Sequence, residues 1–302
     1  MKMTEMNSNQ LMKGLFRGVG QVMFQNNAIS GILMLVGIGF NSLPMCIFAL
    51  LGTIISTLTA VVLKYNQENI ENGLYGFNGT LVGIAVPCFM SVNVWSVVLM
   101  VVASVAATLV ARAFEKQKLL PTLTAPFVMI TWVMLLVSYA FPVLQQPAVA
   151  AAAGEGTFSL LRAASLNFAQ IMLQGNSLLT GLFFFLAILV NSRKMALDAF
   201  LACALSLAVV WVPMISTSSI NNGMYGYNAI LTVLAVANII NVSSWKYLKA
   251  LVALVFSVII QYAGIQLGIV TLTAPFVLSV WLIALYNALG MYRSKAKGSP
   301  AV

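Results

Sequence analysis

The sequence predicts an all-α membrane protein. Ten transmembrane helices form two inverted five-helix repeats, with broken or re-entrant segments around a central pore in each subunit. Three observations lead there. First, of 302 residues 61% are hydrophobic and only 7% charged, with a mean hydropathy of +0.98. A soluble domain carries roughly 25% charged residues, so this chain has too little polar surface to cover itself in water. Second, the chain repeats itself. NGLYGFN from Asn72 returns as NGMYGYN from Asn222, TLTAPFV from Thr122 returns from Thr271, and NS-x-x-M occurs at Asn41 and Asn191, all offset by 149 to 150 residues. Third, the basic residues fall on one side of the membrane when ten crossings are drawn.

A crossing needs about 20 apolar residues. In the first half the apolar segments lie at 28–40, 43–63, 79–90, 94–113 and 123–144. In the second they lie at 177–190, 195–213, 228–240, 246–263 and 271–289. Segments 79–90 and 228–240 are too short to cross unaided. Each follows an NG-x-YG-[FY]-N stretch, which is expected to enter the membrane as broken helix, tolerated only where protein or a water-lined cavity surrounds it. The predicted organisation is a first repeat over 1–145, a linker over 146–160 rich in alanine, a second repeat over 161–292 and a basic tail over 293–302.

With the N-terminus in the cytoplasm, the inner segments hold Lys2, Lys13, Arg17, Lys64, Arg112, Lys116, Lys118, Arg193, Lys194, Lys246, Lys249, Arg293, Lys295 and Lys297. That is 14 of the 15 basic residues; Arg162 alone falls outside. Both termini are thus expected in the cytoplasm. Five crossings per repeat, an odd number, turn the second copy over relative to the first. Inverted repeats of this kind put a binding path near the midplane between the halves.

The residues inside the repeats point to the solute. Their polar groups are neutral. Intramembrane charges would mark ion paths or proton relays, and the carboxylate found in an apolar segment, Asp198, sits near a membrane end and reads as a counter-charge to Arg193 and Lys194. There is no histidine, which removes the commonest proton shuttle and metal ligand. The three cysteines, Cys46, Cys88 and Cys203, are scattered through apolar stretches and read as small core residues. The basic residues are too dispersed for a nucleic-acid partner. No metal and no cofactor are expected, and nothing supplies the set of groups that an enzyme acting on an amide would need. Asn78-Gly-Thr80 is a glycosylation sequon in form alone, since its repeat partner lacks it.

Within TLTAPFV, Pro126 lacks an N–H and is expected to disturb the preceding helical turn. Carbonyls near Thr122 to Thr124 would lose their donors and, with the Thr124 and Thr273 hydroxyls, form a row of acceptors. A single Thr-x-Pro reads as a kinked helix bonding its own backbone; the same sequence at both symmetric positions favours a solute-facing row. GQVMFQNN (Gly20 to Asn27) pairs with AQIMLQGN (Ala169 to Asn176), aligning Gln21 with Gln170 and Phe24 with Leu173. Phe77 aligns with Tyr227. Flat side chains beside Gly, Asn and Gln suit a narrow slot that admits a planar molecule. A bare ion is excluded there by the cost of losing its water.

These residues resemble the urea transporter family, whose signature is L-P-x-x-T-x-P-F. LPTLTAPF (Leu120 to Phe127) fits it fully, and IVTLTAPF (Ile269 to Phe276) keeps T-x-P-F. The resemblance spans about residues 15–290. It implies a bacterial member in the cytoplasmic (inner) membrane, passing urea downhill without a coupling ion, and a homotrimer with one pore per subunit. It implies that Thr124 and Thr273 form an oxygen ladder, with Gln21 and Gln170 binding the amide at the two mouths. Val22, Phe24, Phe77 and Leu81 would wall the first slot. Ile171, Leu173, Tyr227 and Leu231 would wall the second. Leu173 stands where an aromatic would complete that slot, and Tyr227 adds a hydroxyl, so the second slot is expected to be less aromatic and wetter. The alternatives are an ion-coupled transporter of small amides and a neutral-solute channel for water or ammonia.

Overall fold

The computed structural model describes residues 7–146, 157–210, 215–240 and 245–296. The first half holds α1 (Ser8–Gln21), α2 (Ala28–Asn41), α3 (Leu43–Val62), α4 (Gln67–Glu71), α5 (Gly76–Phe89), α6 (Val94–Gln117) and α7 (Ala125–Ala140). The second holds α8 (Leu160–Ala169), α9 (Leu178–Asn191), α10 (Arg193–Val209), α11 (Thr217–Asn221), α12 (Gly226–Asn238), α13 (Lys246–Gln266) and α14 (Ala274–Ala296). Among the described residues there is no strand, only an isolated bridge between Met90 and Gln145. Long and short helices follow in the same order in both halves. The start signals recur as well: Ser42 and Ser192 cap α3 and α10, and Asn66 and Ser216 cap the short α4 and α11. A side-chain oxygen at these positions takes up an N–H that has no partner inside the helix.

The protein is an integral membrane protein of helices, and their lengths differ from an even set of full spans. Among the described residues α3, α6 and α13 are long and apolar enough to cross a membrane. By contrast α5 and α12 have 14 and 13 residues, about 20 Å at 1.5 Å per residue, well short of a hydrocarbon core of about 30 Å. The segment read as a crossing over 123–144 is α-helical only over Ala125–Ala140, with a single 3-10 turn at Pro142–Leu144. Residues 211–214, the end of the apolar segment 195–213, lie outside the described residues, as do most of the linker and the extreme tail. Large apolar side chains such as Val62, Val94, Leu136 and Leu251 stand exposed on the outer faces, where acyl chains are the fitting solvent.

The sequence analysis missed α1 and α8 because neither is a continuous apolar run. In α1 the side toward the protein is built of Gly14, Gly18, Val19 and Gly20, while Lys13 is exposed. Small residues let α1 lie against α4 and the start of α5, close enough for Arg17 Nη1 to donate to the carbonyl of Glu71 at 3.0 Å.

Contacts between the halves come in exchanged pairs. Ser30 Oγ donates to the carbonyl of Ala187 at 2.6 Å, and Thr180 Oγ1 donates to that of Gly37 at 2.7 Å. Residues 30 and 180 are repeat partners, as are 37 and 187. The start of α2 therefore lies by the end of α9, and the start of α9 by the end of α2, so the two helices run antiparallel. Trp132 Nε1 donates to the carbonyl of Val270 and Trp281 Nε1 to that of Pro121, both at 2.8 Å. Such reciprocity is the mark of a two-fold relation.

The NG-x-YG turns are fixed by glycine at one residue. Gly73 and Gly223 have φ of +74° and +72°, and a Cβ there would lie 2.3 Å from Gly18 N and from the Leu166 carbonyl carbon respectively. A left-handed backbone with no room for a side chain admits only glycine. Gly73→Ala and Gly223→Ala are each expected to cost about 1–3 kcal/mol, read as a lower midpoint in thermal unfolding of the detergent-solubilised protein. Gly39→Ala, where a Cβ meets nothing within 4 Å, is the neutral control.

Candidate permeation site

The site is built on the start of α7 and its repeat partner, the start of α14. A helix N-terminus leaves backbone N–H groups without partners, and in a dry interior each one is costly. Here every one in the first turn is accounted for. Ala125 N donates to the carbonyl of Thr122 at 3.2 Å and Val128 N to that of Thr124 at 3.0 Å. Pro126 has no N–H, and Phe127 N donates to Asn78 Oδ1 at 3.0 Å. In α14, Ala274 N reaches Thr271 O and Val277 N reaches Thr273 O, Pro275 has none to place, and Phe276 N donates to Asn228 Oδ1 at 3.2 Å.

The proline thus acts differently from the expectation. It does not kink a helix; it occupies the first turn, where its missing N–H and fixed φ are an advantage. Nor are the preceding carbonyls orphaned. Pro121 O receives Trp281 Nε1 at 2.8 Å, Leu123 O receives Asn78 Nδ2 at 3.3 Å, and Thr122 and Thr124 receive the N–H groups just named. Each carbonyl has two lone pairs, so each keeps one acceptor site. The chain holds them in place with Leu123 and Leu272 at φ of +46° and +51°, a left-handed geometry that is costly for leucine.

Thr124 and Thr273 precede these helices, and their hydroxyls meet across the two halves at 2.7 Å. Both residues are buried, at 3% and 2% exposure, inside the protein and away from lipid. Among the described residues no carboxylate and no basic side chain bonds to them. The N-termini of α7 and α14 therefore face each other with a pair of hydroxyls between them.

On one side of this centre lies a cavity of about 410 Å³ lined by Gln21, Phe24, Phe77, Asn69, Tyr75, Glu115 and Thr122, among others. Three of the predicted first-side residues, Gln21, Phe24 and Phe77, share its wall. Val22 and Leu81 do not line it: at 1% and 0% exposure they belong to the packed core behind it. Gln21 Nε2 donates to the carbonyl of Asn72 at 2.9 Å, and among the described residues its oxygen receives no donor. Phe24 is held in the left-handed region at φ of +62° and meets Phe276 edge-on, with ring centroids 6.1 Å apart. Glu115 is fully engaged at the wall by Tyr75 at 2.5 Å, Arg112 at 2.7 Å and Asn69 at 2.9 Å.

The other side repeats the backbone with different chemistry. Gln170 Nε2 donates to the carbonyl of Asn222 at 3.0 Å, the counterpart of the Gln21 bond. Leu173 takes φ of +61°, matching Phe24, so the leucine adopts the aromatic's backbone without its ring. Ile171, Tyr227 and Leu231 are buried at 1%, 5% and 0% exposure in the same core. The wetter slot expected from Tyr227 is not what its hydroxyl does. That group donates to the carbonyl of Leu272 at 2.7 Å and lies 3.3 Å from Gln261 Oε1 and 3.4 Å from Thr271 Oγ1. It ties α12 to the strained turn.

Sequence reasoning quoted Asn78 and Asn228 inside their motif and passed over their role, which is to bridge the starts of two helices. It also missed Trp132 and Trp281. The same offset of 149 to 150 residues would have found all four. Asn78 is 1% exposed and fully bonded, so the sequon around it is indeed formal. Asp198 lies buried at the far end of α12, receiving Lys194 Nζ and Asn238 Nδ2 at 2.9 Å each, as a counter-charge should. Among the described residues no three His, Cys, Asp or Glu side chains group as metal ligands do.

Replacing Asn78 by Leu leaves both the Phe127 N–H and the Leu123 carbonyl unpaired in the interior, at about 1–3 kcal/mol per group, whereas Asn228 by Leu leaves the Phe276 N–H alone, since Leu272 O keeps the Tyr227 hydroxyl. Asn78→Leu is expected to lower the unfolding midpoint more than Asn228→Leu. Thermal unfolding in detergent reads both.

A model of the urea transporter family matches residues 12–288. Urea transporter 1 of Rattus norvegicus is 29% identical over 266 residues, covering 82% of this chain and 68% of the relative. Urea transporter 1 of Ovis aries is 28% identical over 300 residues, covering 91% and 77%. With nearly its whole length inside the family model, and with the T-x-P-F turns, paired asparagines and paired glutamines at equivalent places in both halves, this chain belongs to the urea transporter family.

Proposed function

We propose that the protein carries urea passively, as a channel, along the line Gln21, Phe24 and Phe77, the Thr124–Thr273 pair, then Leu173, Tyr227 and Gln170. The observation that carries this reading is the threonine pair, an uncharged acceptor site where the two halves meet. Urea is flat and neutral, with two NH2 groups and one carbonyl. Its N–H groups replace the single hydroxyl–hydroxyl bond by bonds to both threonines and to the spare lone pairs of nearby carbonyls. Each bond lost to water is then replaced in turn, so no step is deep, as conduction requires. Both glutamines have their NH2 engaged by protein, which leaves the oxygen to receive urea at either mouth.

Ion coupling is disfavoured. Two helix N-termini converge on the centre, and each carries roughly half a positive charge. Cations are repelled there, and any ion loses its water at a cost the apolar walls do not repay. The two carboxylates nearest the spans, Glu115 and Asp198, are paired and away from the threonines.

The arrangement as ten crossings in inverted halves is supported by the antiparallel α2 and α9, the exchanged hydrogen bonds, and the half-length α5 and α12. Both termini in the cytoplasm, with Arg162 outside, follows from the basic-residue pattern. The homotrimer and the bacterial inner membrane rest on the sequence resemblance alone; the relatives named above are mammalian.

Stopped-flow flux into proteoliposomes tests the reading. Urea is expected to equilibrate without accumulating, with or without a proton or sodium gradient. Accumulation above equilibrium, or water and ammonia flux with none for urea, overturns it. Thr124→Val and Thr273→Val are each expected to slow urea about tenfold, the worth of one lost acceptor of about 1.4 kcal/mol, while Thr124→Ser stays near wild type. For the orientation, fluorescent-protein fusions at both ends should mature in the cytoplasm, and a reporter placed after residue 145 should be active only outside.

A further inference from the structure

We propose, resting on the urea path above, that Gln261 of α13 positions Thr273 and thereby sets the preference for a solute with two NH2 groups over one with a single NH2. Gln261 is fully buried, at 0% exposure. Its Oε1 receives Thr271 Oγ1 at 2.8 Å and Asn228 Nδ2 at 3.1 Å. These two partners hold the left-handed turn at Leu272 from both sides. Thr271 precedes it in the chain. Asn228 donates to Leu272 O at 3.3 Å and receives Phe276 N at 3.2 Å. Thr273 lies between the groups so held. Tyr227, 3.3 Å from the same Oε1, spends its proton on Leu272 O.

The direction of these bonds is forced. Phe276 N occupies Asn228 Oδ1, so Asn228 turns its Nδ2 toward Gln261, and Gln261 must answer with its oxygen. Gln261 Nε2 is then left buried without a partner among the described residues. A buried donor without a partner is costly, so what this glutamine contributes is its acceptor. The first half shows the turn without one. Arg112 is the repeat partner of Gln261. A guanidinium accepts nothing, and its Nη1 turns to Glu115 at 2.7 Å. Among the described residues Asn78 Nδ2 has Leu123 O alone, and the Thr122 hydroxyl, on the cavity wall, has no bond. Thr273 therefore stands on a turn bonded to α13, and Thr124 on a turn with no such bond to α6. Urea uses both hydroxyls at once, one for each NH2. Formamide, with a single NH2, uses one. A displaced Thr273 costs urea a bond that formamide keeps at Thr124.

The test is stopped-flow permeability to urea and to formamide in proteoliposomes of the full-length protein, corrected for protein-free vesicles. The ratio of the two does not depend on how much protein folds or inserts. Gln261→Met keeps the side-chain length and loses the acceptor. It is expected to lower the urea-to-formamide ratio about fivefold, the worth of one weakened hydrogen bond. Thr271→Val should do the same with Gln261 in place. Ser257→Ala, one turn earlier on α13 with its hydroxyl on Leu254 O, should leave the ratio unchanged. In a Thr273→Val background Gln261→Met should lower the ratio no further, since a residue acting through Thr273 has nothing left to position. An undiminished ratio in Gln261→Met and Thr271→Val, with wild type passing urea, overturns this inference alone. So does an equal further drop in the Thr273→Val background. Wild type that passes no urea overturns the channel reading and this inference with it.

Discussion

The structure depends on ending helices in a place without water. A transport path through a helical membrane protein needs polar groups at mid-depth, and the available source is broken helix. Each break exposes N–H groups that hydrocarbon cannot satisfy. Here a proline deletes one and an asparagine from the neighbouring half-helix takes another. Asn78 binds Phe127 N and Leu123 O together; Asn228 does the same for Phe276 N and Leu272 O. The asparagine thereby couples two helix starts and a left-handed turn into one unit. What is left unspent in the first half is acceptor capacity, on the carbonyls of Pro121 to Thr124, each of which takes a single donor among the described residues; Leu272 O in the second half takes two. On the proposed reading, those free lone pairs suit a molecule rich in N–H.

Duplication doubles that unit and sets it face to face. The exchanged tryptophan bonds, Trp132 to Val270 and Trp281 to Pro121, clamp each strained turn to the other half's helix. This is why the threonines meet. Their contact is a consequence of two clamps, each on the carbonyl three residues before a threonine, and not of any attraction between hydroxyls strong enough to order the backbone. A single net hydrogen bond contributes only about 1 kcal/mol, so it yields readily to a solute that offers equal or better partners.

Much of this was legible in the sequence because the repeat converts weak motifs into paired ones. The membrane class, the positions of the apolar helices, the two glutamine segments and the threonines all follow from composition and the constant offset. What escaped had physical reasons. α1 packs through glycines, and α8 breaks its apolar residues with Arg162, Ser165 and Asn167, so neither leaves an apolar run to see. Pro126 looked like a mid-helix breaker because the local pattern cannot show where a helix begins. Tyr227 looked like a solvent-facing hydroxyl because its partners, Leu272 and Gln261, lie 45 and 34 residues away.

The same comparison shows how far the two mouths diverge. Arg112 and Gln261 are repeat partners, as are Phe77 and Tyr227. On the first side Arg112 turns to Glu115 and the aromatic ring lines an open cavity. On the second, Gln261 accepts from Asn228 and Thr271, and the tyrosine is locked to the turn by its bond to Leu272 O. A repeated backbone therefore carries a charged wall on an open cavity at one end and a neutral, tightly bonded cluster at the other. In a passive channel this difference cannot pump: without an energy source, net flux vanishes when urea is equal on both sides, whatever the shape of the path. What asymmetry can change is where the solute dwells. On the proposed path, ends of unlike chemistry set occupancy at each side separately, with the threonine pair common to both directions.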